Sequence, residues 1–223
     1  MMDKLTIVKF IVVYTLPLIF GITVHEMAHG WVAKKYGDNS ASSLGRLTLN
    51  PIKHIDLFGT IILPAILLGI ILKTGTGFIF GWAKPVPVDA RNFKNPPRDM
   101  AIVALAGPVS NLLMALGWAL IIRLGVMIGS GTEAISHPLI AMGFAGISIN
   151  LSLALVNLLP IPPLDGSRIL TGMLPRYWAW QYNRLEPYGF YILIALLYFN
   201  VMNVLFDYPK FVAEKVFSSI AGL

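Results

Sequence analysis

Val24-His25-Glu26-Met27-Ala28-His29-Gly30 sits inside an apolar run from about Leu5 to Ala33 that Lys34-Lys35 close, and this stretch decides how the chain is read. A helix carries residues i and i+4 on one face, so His25 and His29 point the same way, one turn apart, as two ligands for a single zinc ion. Glu26 lies beside the first of them, where a carboxylate can act as general base on a zinc-activated water. Lys34 marks the membrane surface, and His25 lies roughly 14 Å of helix deeper. Polar groups at that depth are costly and mark function. A purely structural helix contact has no use for a charged glutamate there.

The composition fits a membrane setting. Of 223 residues, 56% are hydrophobic and only 13% charged, against about 25% charged in a soluble protein. Too few charges remain to cover a soluble surface. The net charge of +6 sits mostly in a few loops, and the positive-inside rule explains it without a nucleic-acid partner. The chain has no cysteine, which excludes disulfides, thiolate ligands and cysteine nucleophiles. The apolar N-terminal run continues straight into the histidine motif, so it reads as a retained helix and not as a cleaved leader.

Working outward, the apolar pattern predicts helices over about 5–33, 100–128, 138–160 and 188–205 in one domain covering 1–223. Leu57–Leu72 is apolar but short and carries Pro64 in its middle, whereas a span needs about 20 residues. Phe78 to Val88 contains Pro85 and Pro87, which favour extended backbone. The stretch from Ser167 to Pro187 is amphiphilic.

A catalytic zinc needs a third protein ligand and an open position. Without cysteine, His54, His137 and Asp165 are candidates by type. His137 sits in a loop without Lys or Arg, which points to the opposite side. Asp165 follows an apolar span, in the proline-broken segment Pro160-Ile161-Pro162-Pro163-Leu164-Asp165-Gly166. Irregular backbone of that kind is tolerated at membrane depth where it lines a cavity. On local chemistry alone, a turn or capping role for Asp165 is an equal reading.

With these residues in view, the sequence resembles the site-2 protease family of intramembrane zinc metalloproteases. The resemblance is carried by His25-Glu26-Met27-Ala28-His29-Gly30 and by Asn157-Leu158-Leu159-Pro160-Ile161-Pro162-Pro163-Leu164-Asp165-Gly166, with support from Gly45–Pro51, Gly81–Val88 and Ala106-Gly107-Pro108-Val109-Ser110-Asn111. It covers about residues 20–175. It implies one Zn2+ held by His25, His29 and Asp165, with Glu26 as base. It implies that Asn157 lies near the scissile carbonyl, holding substrate or stabilising the oxyanion. It implies a membrane-associated strand near Gly81–Val88, whose edge could pair with an unfolded membrane-protein substrate. Gly107, Ser110 and Asn111 read as close helix packing, and His54 as an interfacial or substrate-facing residue. The form is compact, without an evident PDZ or CBS module. The expected fold class is therefore an all-α polytopic membrane protein: a transmembrane helix bundle with a small membrane-associated β element and a re-entrant segment.

The zinc site constrains topology. The histidines lie near the C-terminal end of one helix and Asp165 just beyond the end of another, so both ends must face one side. Lys34, Lys35, Arg46 and Lys53 occupy one loop, Lys73, Lys84, Arg91, Lys94 and Arg98 a second, and Arg168, Arg176 and Arg184 a third; residues 129–137 hold neither Lys nor Arg. The positive-inside rule puts all three basic loops in the cytosol of a bacterium or archaeon. The first two can share a side only if Leu57–Leu72 turns back within the membrane. Expected partners are the lipid bilayer and a membrane-protein substrate. Scaffolding or ion transport, the rival uses of an intramembrane metal site, would not need a base beside the first ligand.

Overall fold

The computed structural model describes residues 4–74, 81–129, 132–199 and 201–222. The first helix, α1, runs Lys4–Lys35. Lys34 and Lys35 fall in its last turn, where positive charge complements the helix dipole. Gly37 closes it at φ 105°, in the left-handed region that suits glycine.

Two small elements follow, α2 at Ser40–Ser43 and a 3-10 turn at Pro51–Lys53. Asp56 then accepts the Gly59 N–H and starts a π-helical turn, Leu57–Ile62, which passes into α3, Leu63–Thr74. The apolar segment therefore changes helical type beside Pro64.

Phe78–Phe80 lie outside the described residues. Gly81–Asp89 has no regular secondary structure, and among the described residues no strand is formed. The backbone nevertheless alternates in its bonding. Trp82 N–H donates to the Gly59 carbonyl at 3.1 Å and Lys84 N–H to the His54 carbonyl at 2.9 Å. Val86 N–H reaches the Glu26 carboxylate at 2.7 Å.

The loops on either side of Leu57–Thr74 are stitched together. Asp38, fully buried, accepts from the Ser40 N–H and hydroxyl, the Asp89 N–H and the Asn92 amide. Arg46 donates to the Lys84 and Pro85 carbonyls. Thr60 Oγ1 donates to the Trp82 carbonyl at 2.8 Å. Burial raises the Asp38 pKa, but these donors outweigh it and hold the carboxyl below its ordinary value.

The central helix, α4, spans Pro96–Ile128. Its two leading prolines occupy positions whose N–H groups would have no helical partner. Helix α5, Glu133–Asn157, packs along it. Gly143 and Gly146 make that approach possible, since a Cβ at either would lie 2.3 Å from Ile122 or Trp118. The proline-rich turn after α5 leads into α6, Asp165–Met173, then α7, Arg176–Asn183. The helix expected over 188–205 is instead two, α8 at Gly189–Tyr198 and α9 at Val201–Ala221. Phe199, a poor helix former after another at Tyr198, ends α8. Asp207 and Pro209 end the apolar run by which the sequence is read, yet the helix continues through them, because Ala213, Phe217, Ile220 and Ala221 pack against α4 and α5.

Among the described residues three helices, Ile11–Lys35 within α1, α4 and α5, are long and apolar enough to cross a membrane. Apolar side chains such as Leu113, Leu120 and Met127 project from the surface of α4, as lipid-facing residues should. Helix α4 packs against α1, α5, α6 and α9, and the site forms where α1, α4 and the start of α6 meet.

Candidate active site

His25 and His29 lie one turn apart on α1, 7% and 9% exposed. Asp165 is the first residue of α6. The turn before it folds tightly enough that a Cβ on Gly166 would lie 2.2 Å from the Leu158 carbonyl oxygen. That packing aims the carboxylate at the histidines. Asp165 Oδ2 lies 3.2 Å from His25 Nε2 and 3.3 Å from His29 Nε2, and the two Nε2 atoms are 3.1 Å apart.

The far sides of both rings are committed. His25 Nδ1 is 2.6 Å from Asn111 Oδ1, and His29 Nδ1 is 2.8 Å from the Val103 carbonyl. Both partners are acceptors, so each ring carries its proton on Nδ1. With the rings neutral, each Nε2 then presents a lone pair. Asp165 Oδ2, a buried acceptor, has no hydrogen-bond donor. Three acceptors thus face one another inside the protein with no proton between them. A cation resolves that arrangement, and this ligand set fits zinc. Among the described residues His25, His29 and Asp165 form a group that could hold one metal ion.

Two features of α4 shape the cluster. Gly107 has no side chain where a Cβ would lie 2.5 Å from His25 Cε1 and from His29 Nε2, so it is close packing, as the sequence suggested. Asn111 is not packing alone, because its side-chain oxygen orients His25. The signal in the sequence was an amide side chain one turn beyond that glycine in an apolar run.

Glu26 is tied to the Gly81–Asp89 segment through Val86 N–H. Asn157 ends α5, and its amide donates to the Leu153 carbonyl at 2.9 Å, within its own helix. No described hydrogen bond joins it to the three ligand candidates. His54 is buried and donates from Nε2 to the Thr48 carbonyl at 2.9 Å, which makes it a loop brace and not a surface histidine. His137 lies at the opposite end of α5 from Asn157, roughly 30 Å away along the helix. Neither belongs to the cluster.

Residues 13–199 match the profile of Peptidase family M50. The chain is 43% identical over 180 residues to a protein of Bacillus subtilis named as a zinc metalloprotease, YwhC, covering 80% of this chain and 77% of that one. Rip2 of Mycolicibacterium smegmatis, also so named, is 30% identical over 189 residues, covering 83% and 66%. MJ0611 of Methanocaldococcus jannaschii is 33% identical over 161 residues, covering 71% and 69%. No solved structure matches the chain.

Proposed function

The chain belongs to peptidase family M50 and is a zinc metalloprotease, and on that premise we propose that it hydrolyses peptide bonds in or near the transmembrane segments of membrane-protein substrates. The observation that carries this reading is the convergence of three buried lone pairs, from His25, His29 and Asp165, beside Glu26 in an apolar bundle. These three residues are the proposed zinc ligands. Zinc, when bound, supplies a Lewis acid that polarises a carbonyl and lowers the pKa of water.

Glu26 is the proposed general base. It takes a proton from the attacking water and returns it to the leaving amine. The Val86 N–H at 2.7 Å supports that role, because it holds one carboxylate oxygen and leaves the other to work. The Gly81–Asp89 segment spends the N–H groups of Trp82, Lys84 and Val86 inward. In an extended segment the Ala83 and Pro87 carbonyls would face the opposite edge, while the Pro85 carbonyl already accepts from Arg46. An unwound substrate could lie there as a strand, donating its own N–H groups. Asn157 is proposed to contact the scissile carbonyl through its second amide N–H, the first being given to the Leu153 carbonyl.

We further propose that Leu57–Thr74 is re-entrant and that the site opens toward the cytosol across the plasma membrane. The bonds joining Asp38 to Asp89 and Arg46 to Lys84 support it, since they bring the segment's two flanks to one side. Tags at Lys53 and Lys94 reporting opposite faces would refute this topology. For the chemistry, Glu26→Gln in zinc-loaded protein is expected to abolish cleavage of a membrane-protein substrate while retaining the metal. Unchanged cleavage would remove Glu26 from its role.

A further inference from the structure

We propose that Asn150, on α5 and outside both signature motifs, is a positioning residue that sets the proton of His25 through Asn111. Asn111 and Asn150 are both 0% exposed, where α1, α4 and α5 meet. Asn150 donates from Nδ2 to the Gly146 carbonyl at 2.8 Å. A carbonyl only accepts, so the amide can face it only with its nitrogen. This turns Asn150 Oδ1 toward Asn111, whose Nδ2 donates to it at 2.9 Å and to the Gly21 carbonyl at 3.2 Å. Both Asn111 protons are then spent, and its Oδ1 faces His25 Nδ1 at 2.6 Å.

The relay has one polarity. A flipped Asn111 amide would set its oxygen against two acceptors, the Gly21 carbonyl and Asn150 Oδ1. It would also offer an N–H to His25 Nδ1. The ring proton would then move to Nε2 and occupy the lone pair that faces the ligand cluster. Asn150 supplies the shorter of the two bonds that prevent the flip. A carbonyl on α5 therefore dictates, through two amides, which nitrogen of a histidine on α1 is free to bind metal. Partners of this kind typically change metal affinity about 10- to 100-fold when lost.

The inference rests on the reading of His25 as a zinc ligand, and the test separates the two. Zinc affinity of the full-length purified protein is measured by competition with a chelator of known strength, with no peptidase assay involved. Wild-type protein is expected to bind zinc, and His25→Ala to lose it; a wild type without zinc affinity would overturn the ligand reading and the relay with it. Given wild-type binding, Asn150→Leu is expected to weaken zinc about 10-fold and Asn111→Leu about 100-fold. The double variant should be no weaker than Asn111→Leu alone, because Asn150 acts only through Asn111. Asn150→Asp should restore affinity to within about threefold, since a protonated carboxyl can donate to Gly146 and accept from Asn111 in the same geometry. Wild-type zinc affinity in Asn150→Leu, or losses that multiply in the double variant, would overturn the relay. Asn150→Ser, too short to reach Asn111, replaces the leucine variant if that one does not fold.

Discussion

Gly107→Ala is the sharpest test of how the site is packed. The added Cβ would lie 2.5 Å from both His25 Cε1 and His29 Nε2, where ordinary contact begins at 3.4 Å. The difference, 3.4 − 2.5, requires about 0.9 Å of retreat. The rings have little freedom to give it, since His25 Nδ1 is held by Asn111 and His29 Nδ1 by the Val103 carbonyl. Overpacking of this kind costs about 1–3 kcal/mol, and alanine recovers about 1 kcal/mol of helix propensity. The net change in stability is thus at most about 2 kcal/mol. A misplacement near 1 Å at reacting groups, however, costs about 100-fold in rate. Gly117 is the control on the same helix: a Cβ there meets nothing within 4 Å, so Gly117→Ala should be neutral or slightly stabilising. The assay is cleavage of a membrane-protein substrate in nanodiscs, with zinc content and thermal unfolding measured on the same samples. Gly107→Ala with wild-type kcat and zinc content would refute the claim that this glycine admits the rings.

Other consequences follow from the same contacts. Val86→Pro removes the N–H that holds Glu26; a hydrogen bond to a charged group is worth about 1.5–3 kcal/mol, so kcat should fall about 10- to 100-fold with KM little changed in steady-state kinetics. Asp38→Asn replaces an acceptor oxygen with a donor nitrogen in a buried site that offers donors, and should cost about 1–3 kcal/mol in thermal unfolding. The folded Asp38 pKa is lowered, so its stabilisation is complete above the unfolded value near ~3.9. That stabilisation is lost as pH falls through the folded value, and stability below about pH 4 should therefore decline more steeply in wild type than in Asp38→Asn. Stripping zinc with a chelator should lower the unfolding temperature, and readding it at 100 times its Kd should restore about 2.7 kcal/mol; an unfolding curve indifferent to zinc would contradict the proposed ligand set.

What could be read from the sequence was what lay close together in it. His25 and His29 share one helix face, so their spacing is itself the signal, and Asp165 was visible because its proline-broken surroundings are unusual after an apolar span. The end of α1 at Lys35 was marked by charge, whereas α4 begins at Pro96, ahead of the start at about residue 100 that the apolar pattern suggested. The continuation of α9 past Asp207 and Pro209 was hidden, because its packing against α4 and α5 outweighs a local pattern that argues against a helix. The strand expected at Gly81–Val88 is not formed among the described residues, because the N–H groups of Trp82, Lys84 and Val86 bond to the Gly59 and His54 carbonyls and the Glu26 carboxylate, not to a second strand. Asn111 was legible as buried but not as a partner of His25, 86 positions away, since no spacing rule connects them.

The face of α4 that meets α1 shows why that distance does not loosen the site. Val103, Gly107 and Asn111 follow one another at intervals of four, so they line one stripe of the helix. The Val103 carbonyl orients His29, the bare backbone of Gly107 admits both rings, and Asn111 orients His25. Between apolar helices in lipid, close packing alone leaves neighbouring registers near in energy. A slip of α1 along α4 by one turn, about 5.4 Å, would set a side chain where Gly107 now stands and leave buried ring N–H groups without acceptors. Each buried polar group so stranded costs about 1–3 kcal/mol. The contacts that set the histidine protons therefore also select the register of the two helices. The cluster at Asp165 can form only in that register.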